Sequence, residues 1–339
     1  MKILITGAYG FVGTNLCRYL TEKGHQCDAL DVSAAKRNDV PYQNFYIWSD
    51  VDQVMNEKSA THRSSLILHT YDAVVHLAGK AHDLKKVASE QSYFDINVGL
   101  TKRIFEALCE AKKAESAPRN CTFVYFSSSK ASADGNAYGR SKLAAEDCLT
   151  SAVRLLPSTS PLRVTILRPA MIHGPGNKGN LNLLWGIARR GLPWPLAAFE
   201  NRRSFTSIDN VCAAVEAICK GLAEKKVESS ATQRSSLILH TFSIADDEML
   251  STNRLIELIA EVCGKNAKLW RLPKGLMCFC AKIGDLLHLP LNSERIEKLT
   301  EDSFVDNAEL KKALGWEKMP IRAEDGMRKT LESFLKVEG

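Results

Sequence analysis

A chain of 339 residues and 37.5 kDa is too long for one small module and short for three, so two domains or one enlarged α/β unit are expected. With 45% hydrophobic and 25% charged residues, collagen-like, coiled-coil and disordered classes fall away. The net charge of +6 is mild, and Lys and Arg read as scattered rather than gathered into a stripe, which argues against a nucleic-acid partner.

Along the chain, Lys2–Thr6 reads as an apolar strand and Phe11–Lys23 as a helix. Cys27–Leu30 is a strand ending at Asp31, and Asp72–Ala78 is a buried strand. Val87–Lys113 is a long helix, Cys121–Phe126 a strand, Ser141–Leu155 a helix and Val164–Leu167 a strand. This alternation predicts an α/β fold with a doubly wound parallel sheet over residues 1–168. Beyond Pro169 the pattern loosens into Gly/Pro-rich loops, which marks a smaller second domain over 169–339. Segments near 204–222 and 242–262 are expected to return to the first domain.

One feature follows no fold rule. Ser59–Thr70 reads SATHRSSLILHT and Ser230–Thr241 reads SATQRSSLILHT, with unrelated flanks, so neither a solenoid nor a domain duplication is indicated. The stretch suits a duplication accommodated in two loops, where added length costs little. The alternative is that the two Leu-Ile-Leu runs form edge strands pairing with each other or with a second subunit.

No run approaches the ~20 apolar residues that cross a bilayer. The first apolar stretch, Ile3 to Ile5, ends in glycine-rich sequence, so a soluble cytoplasmic protein without a membrane partner is expected. Cys17, Cys109, Cys148, Cys219 and Cys263 lie singly in apolar segments, as reduced thiols do. Cys278 and Cys280 lack a second pair at zinc spacing, so no metal is expected.

The chemistry starts at Thr6-Gly-Ala-Tyr-Gly-Phe-Val-Gly13, between the first strand and the first helix. Glycines at 7, 10 and 13 permit a tight turn and close approach of the backbone to a pyrophosphate, with the helix N-terminus aimed at the negative charge. Gly7, Tyr9, Gly10, Phe11, Val12 and Gly13 are therefore candidate dinucleotide contacts. Asp31, about 20 residues beyond the loop, suits the ribose hydroxyls and would repel a 2′-phosphate, favouring NAD over NADP. Lys36 and Arg37 close behind it weaken that preference, and a plain loop carboxylate is the competing reading of Asp31.

Tyr138 and Lys142 are four residues apart, so the ammonium can sit near the phenol on one helix face. Drawing a tyrosine from a pKa near 10 toward 7 needs ~4 kcal/mol of preferential phenolate stabilisation. A lysine and a cationic nicotinamide could supply it. The strand before them ends in Ser127, Ser128 and Ser129, which could add a hydroxyl beside the phenol.

Taken together, the glycine loop, His76-Leu-Ala-Gly79, Asn97, the serine run, Tyr138/Lys142, Leu167-Arg-Pro169, Gly174-Pro-Gly176, Arg203-Ser-Phe and Leu314-Gly-Trp316 resemble an extended short-chain dehydrogenase/reductase. The similarity is to the NAD-dependent epimerase/dehydratase branch that acts on nucleotide-diphosphate sugars. That resemblance implies that Asp50 and Val51 approach the adenine and that Leu77, Ala78, Gly79 and Asn97 line the cofactor groove. Tyr138 is implied as proton donor or acceptor, with Lys142 lowering its pKa and gripping the ribose, and a serine bridging to the sugar. Asn180 and Arg203 match positions that hold the substrate diphosphate, with His82 and Leu181 as further substrate-side candidates. Arg203 suits phosphate oxygens through its planar fork, but by itself it reads as a surface cation beside Arg202. The resemblance also implies a homodimer through the helices at Val87–Lys113 and Ser141–Leu155.

Two departures stand out. Only about ten residues separate the serine run from Tyr138, which leaves the catalytic serine ambiguous, alignment from the strand favouring Ser128 with Ser129 next. His173 stands where the family has Tyr before Gly-Pro-Gly and suits loop packing better than a second base. The resemblance implies hydride transfer at sugar C4. Runs such as Gly191-Leu-Pro-Trp-Pro-Leu196 are similar to reductases of UDP-4-keto-6-deoxy-N-acetylhexosamines, and a 4-epimerase is the alternative. Dehydration is disfavoured because no Asp-Glu pair follows the serines. A non-catalytic NAD sensor on the same fold has no need of both Tyr138 and Lys142.

Overall fold

The computed structural model describes residues 1–32, 37–56, 66–81, 89–113, 119–157, 159–177, 181–222, 239–287 and 292–338. It divides into two compact units. The first comprises Met1–Pro169, Cys212–Ile244 and Ala308–Glu317. Its sheet contains β1 (Lys2–Thr6), β2 (Gln26–Asp31), β3 (Phe45–Ile47), β4 (Ala73–His76), β5 (Cys121–Phe126), β6 (Leu162–Pro169) and, after the short pair β7 (Met171–His173) and β8 (Phe205–Ser207) of the other unit, β9 (Leu239–Ile244). The order is β3-β2-β1-β4-β5-β6-β9, with every pairing parallel. Every residue of β4 and β5 is buried, which is why these strands read as unbroken apolar runs rather than alternating ones.

The strand pattern reverses direction between β1 and β4, where a parallel sheet opens a crevice at the carboxyl ends of its strands. The first unit's helices include α1 (Phe11–Glu22), α2 (Trp48–Asn56), α3 (Glu90–Lys113) and α4 (Ala137–Arg154). Their apolar sides meet the sheet in a core containing Leu4, Val74, Ile104, Phe105, Phe123 and Leu149. The helix expected at Ser141–Leu155 starts four residues earlier, because the Asn136 side chain caps it by accepting the Gly139 N–H at 3.0 Å. Tyr138 is thereby inside the helix rather than ahead of it.

The second unit comprises Ala170–Val211, Ala245–Asn307 and Lys318–Gly339. It contains β7 paired with β8, α5 (Leu181–Ala188), α7 (Thr252–Val262), α8 (Lys274–Leu287), α9 (Ser293–Thr300) and α11 (Ala323–Glu338). The core gathers Leu184, Trp185, Trp194, Ile256, Ile259 and Met327. Between the units' segments, α6 (Ile208–Lys220) crosses the boundary at residue 212, and α10 (Ala308–Leu314) belongs to the first unit. The stretch 245–262, expected to return to the first unit, is part of the second. The expectation followed apolar α7, whose buried Leu255, Ile256 and Ile259 instead complete the second core.

Most of both repeated segments lies outside the described residues. Where they are described, the same tripeptide takes two forms. Leu68-His69-Thr70 is a single 3-10 turn, whereas Leu239-His240-Thr241 opens β9 and pairs with Val164–Ile166 of β6. Among the described residues the two copies do not pair with each other. The second copy is paired along β6, and the first leads into β4.

Candidate active site

β1 delivers the chain into Gly7 at φ 70°, a left-handed conformation that favours glycine. A Cβ at Gly7 would lie 2.8 Å from the Ala78 nitrogen, and one at Gly13 would lie 2.3 Å from the Gly7 carbonyl oxygen. Both contacts are with backbone, so no side-chain movement relieves them. The first turn of α1 carries no side-chain cap at Gly10, leaving its N-terminus open to an anion. This glycine-floored cradle fits a pyrophosphate.

Asp31 ends β2 beside the loop, its Oδ2 accepting the Tyr9 N–H at 2.9 Å and its Oδ1 the Val32 N–H at 2.8 Å. Arg37 is engaged elsewhere: Nε and Nη2 donate to Asp39 at 3.0 and 2.5 Å, and Nη1 to the Tyr9 carbonyl at 2.9 Å. Lys36 lies outside the described residues. The fixed carboxylate therefore dominates the ribose position, as a cofactor without a 2′-phosphate requires. Asp50 stands in the first turn of α2, accepting the Ile47 N–H at 2.8 Å. Val51 is wholly buried in the core, so only its backbone is available to an adenine.

After β4, Leu77–Gly79 is tied down by a directed chain of hydrogen bonds. Thr101 donates to the Asn97 carbonyl at 2.6 Å, so its oxygen must accept from His76 Nε2 at 3.0 Å. His76 Nδ1 then accepts from Thr6 at 2.7 Å, and Thr6 in turn accepts the Ala78 N–H at 3.2 Å. Burial, with Lys142 adding to it, pushes His76 down to about 3, consistent with that neutral ring. Asn97, expected in the groove lining, lies against Gly79. Its amide is used by protein, accepting the Lys80 N–H at 2.7 Å and donating to the Lys80 carbonyl and to Ser141 Oγ at 3.1 and 2.8 Å. It fastens the loop after β4 to α3 and α4, and so acts as a positioning residue.

Lys142 is buried, donating to the Phe126 carbonyl at 2.7 Å with its ammonium 5.0 Å from the Tyr125 ring centroid. Burial lowers its pKa to about 8, Glu146 opposing. A Cβ on Gly79 would come within 3.2 Å of this ammonium, so the glycine keeps the loop clear of it. Tyr138 departs from expectation: burial raises its pKa, opposed by a hydrogen bond with Ser128. The ammonium of Lys142 is committed to the Phe126 carbonyl and the Tyr125 ring. Ser128 is buried, and its Oγ also accepts the Lys130 N–H at 3.1 Å. Ser129 is exposed, its N–H donating to the Pro169 carbonyl at 3.0 Å. The two candidate serines thus differ in burial, Ser128 inside and Ser129 outside.

Sequence reasoning missed a triad one turn farther along α4, built on the buried Ser127 and Glu146 and the half-buried Arg168. Glu146 accepts from Ser127 Oγ and receives the Arg168 fork, with Arg168 Nε 2.9 Å from Oε1. Residues 138, 142 and 146 share a helix stripe, and that four-residue spacing was the available signal.

In the second unit, Arg203 is half-buried, donating to the Lys298 carbonyl at 2.6 Å. It forms no ion pair among the described residues, and burial lowers its pKa, Glu301 opposing. Arg202, by contrast, is exposed. Leu181 has its side chain buried in the second core, so only its backbone is available to a substrate. An apolar residue opening α5 is drawn inward by the same burial that holds Leu184 and Trp185. His82 and Asn180 lie outside the described residues. His173 is buried, with Nδ1 2.9 Å from Thr330 Oγ1 and its ring edge-on to Phe205.

Comparison with known proteins agrees with this architecture. Residues 3–229 match the model of the NAD dependent epimerase/dehydratase family. A UDP-glucose 4-epimerase of Vibrio cholerae is 28% identical over 99% of this chain and 96% of its own. A UDP-2-acetamido-2,6-beta-L-arabino-hexul-4-ose reductase of Pseudomonas aeruginosa is 30% identical over 54% of this chain and 38% of its own. The solved structure of MoeE5 in complex with UDP-glucose and NAD shares the fold, with a TM-score of 0.68 at 20% identity over the whole of both chains. With the glycine cradle, the anchored Asp31 and the Tyr138–Lys142 stripe on one sheet, the chain belongs to the NAD dependent epimerase/dehydratase family and is an NAD-dependent enzyme of the extended short-chain dehydrogenase/reductase type.

Proposed function

We propose that the protein reduces the 4-keto group of a UDP-4-keto-6-deoxy-N-acetylhexosamine. The observation that carries the chemistry is Tyr138 one turn from Lys142 on α4, with Lys142 bound to the Phe126 carbonyl that ends β5 and the buried Ser128 two residues beyond it. Held by the Gly7–Gly13 cradle and Asp31, reduced NAD would supply the hydride for sugar C4. Tyr138 delivers its proton to the C4 oxygen as charge develops there, and a phenol with a raised pKa is held protonated until that moment. Ser128 orients the same oxygen, and the ammonium of Lys142 offsets the charge left on the phenolate. Asp31 holds the ribose hydroxyls. Arg203, half-buried and without an ion-pair partner among the described residues, is the proposed clamp for the diphosphate.

A second reading is 4-epimerisation of a UDP-hexose or UDP-N-acetylhexosamine. It is favoured by the Vibrio cholerae relative, which matches nearly the whole chain, while the reductase relative matches about half. Purified protein incubated with the 4-keto-6-deoxy sugar nucleotide and NADH separates the two. Stoichiometric NADH loss supports reduction; C4 epimers from UDP-N-acetylhexosamines without added cofactor support epimerisation. NAD binding with neither product would replace both readings with a sensor. We further infer a homodimer through α3 and α4, checked by light scattering.

A further inference from the structure

We propose that the outward side of α8, with the adjacent Trp270, docks on an anionic phospholipid membrane. The helix reads LMCFCAKIGDLL after Lys274-Gly275, and its apolar residues outnumber those one core contact can bury. Met277 and Ala281 are buried, at 4% and 1% exposure, and belong to the second unit's core. Leu276, Phe279, Ile283 and Leu286 are 49%, 61%, 39% and 78% exposed, and Cys280 is exposed with them. At about 100° per residue these five fill an arc of roughly 120°, distinct from the buried one. Compare α7, whose Leu255, Ile256, Leu258 and Ile259 are all at or below 3% exposure. Trp270 is 54% exposed four residues before α8.

Charge identifies the occupant. Residues 265–287 carry Lys265, Lys268, Arg271, Lys274 and Lys282 against the single carboxylate of Asp285. All five cations are exposed. That is +4 of the chain's formal +6 within 23 residues, so positive charge is concentrated in the segment that contains α8, with Lys282 flanking the apolar arc on the helix and Lys274 on its other side. Several cations also have protein contacts. Lys265 donates to the Arg189 carbonyl at 2.5 Å, Arg271 stands 3.5 Å from the exposed Glu200, and Lys274 lies over the Phe199 ring at 5.5 Å. Asp285 caps Ser293, accepting its N–H at 3.0 Å and its hydroxyl at 2.5 Å.

An apolar arc containing Phe and Leu, flanked on the helix by Lys282 and preceded in the chain by a cationic stretch with an exposed Trp, is the pattern of a helix lying in a lipid interface. At 14 residues α8 is about 21 Å long, shorter than the roughly 30 Å hydrocarbon core, so it lies in the plane rather than spanning. A second copy is the poorer occupant: an isologous contact would bring this cationic segment against itself. An anionic surface instead attracts the net positive segment, Lys282 nearest the arc, while the arc enters the acyl boundary.

The test is co-sedimentation of the full chain with vesicles of phosphatidylcholine alone and with 30% phosphatidylglycerol. Binding at least tenfold stronger to the anionic vesicles, weakened by 0.5 M NaCl, is expected. Phe279→Glu with Ile283→Glu should reduce it at least tenfold while thermal unfolding and NAD-dependent turnover stay unchanged. Wild-type protein gives an independent readout: Trp fluorescence should be quenched by brominated acyl chains, and less so in Trp270→Phe. Equal or absent binding to the two vesicle types overturns the proposal. So does light scattering that shows a dimer dissolved by the α8 double variant.

Discussion

Tyr138 and Ser128 make a pair whose separate contributions can be measured. Tyr138→Phe removes the proton and should lower kcat by about 10²–10⁴-fold. Ser128→Ala should cost about tenfold or more, the value of one hydrogen bond to the reacting oxygen, and Ser129→Ala less than about twofold. Equal losses at the two serines in steady-state kinetics would contradict the assignment. Glu146 acts through Lys142. Since Lys142 titrates at about 8 and Glu146 holds it up, the ammonium is present below that pH and lost above it. In Glu146→Gln the ammonium should be lost at lower pH, so the alkaline limb of the kcat profile should move to the acid side. A purely structural role, through Ser127 and Arg168, would lower kcat at every pH without moving the limb.

Among the elements, the β1–α1 turn and α3 show opposite uses of glycine. Gly13→Ala forces a Cβ against the Gly7 carbonyl oxygen, so the cradle must open. NAD affinity, read by fluorescence titration, should fall by about 100-fold, or roughly 2.7 kcal/mol. At Gly99 in α3 a Cβ would meet nothing within 4 Å, and Gly99→Ala should stabilise by about 0.5–1 kcal/mol in thermal unfolding. Periodicity identified β1, β5 and most of α1 and α3, because a buried parallel strand and a helix of this length declare themselves locally. It placed the start of α4 four residues late, since a cap is a single side-chain contact at Asn136 rather than a period. It missed β3, which has three residues and is defined by its pairing with Ala29–Asp31.

Across the molecule, the first unit is closed by contacts of long sequence separation. Glu216 in α6 accepts from Tyr19 at 3.0 Å and from Lys220 at 2.6 Å, and its Oε1 lies 3.0 Å from His25 Nε2. Burial pushes its pKa up, but the hydrogen bonds from Lys220, His25 and Tyr19 outweigh it and hold the carboxyl at about 2. A depressed carboxylate contributes stability above its ordinary value of 4.5, and that stability is lost as pH falls from there to about 2. Glu216→Gln should therefore destabilise by about 1–3 kcal/mol at pH 7 and flatten the stability profile between about pH 4.5 and 2, followed by urea unfolding. An unchanged slope would mean that other carboxylates govern acid unfolding.

The sequence by itself determined the dinucleotide cradle, the alternation that builds a parallel sheet, and the Tyr138/Lys142 stripe. Each depends on residue type at short fixed spacing, where backbone geometry alone brings groups together. Only the tertiary structure showed Ser128 buried and Ser129 exposed, gave Asn97 its bracing bonds to the loop after β4, and joined Glu146 to Arg168. It also withdrew Leu181 into the core and left the arc of α8 outside. The physical reason is plain in the repeated tripeptide. Leu-His-Thr is a 3-10 turn at 68–70 and a strand at 239–241, because only the second pairs along β6. Partners supplied by distant chain carry the larger share of such choices, and no local pattern encodes them.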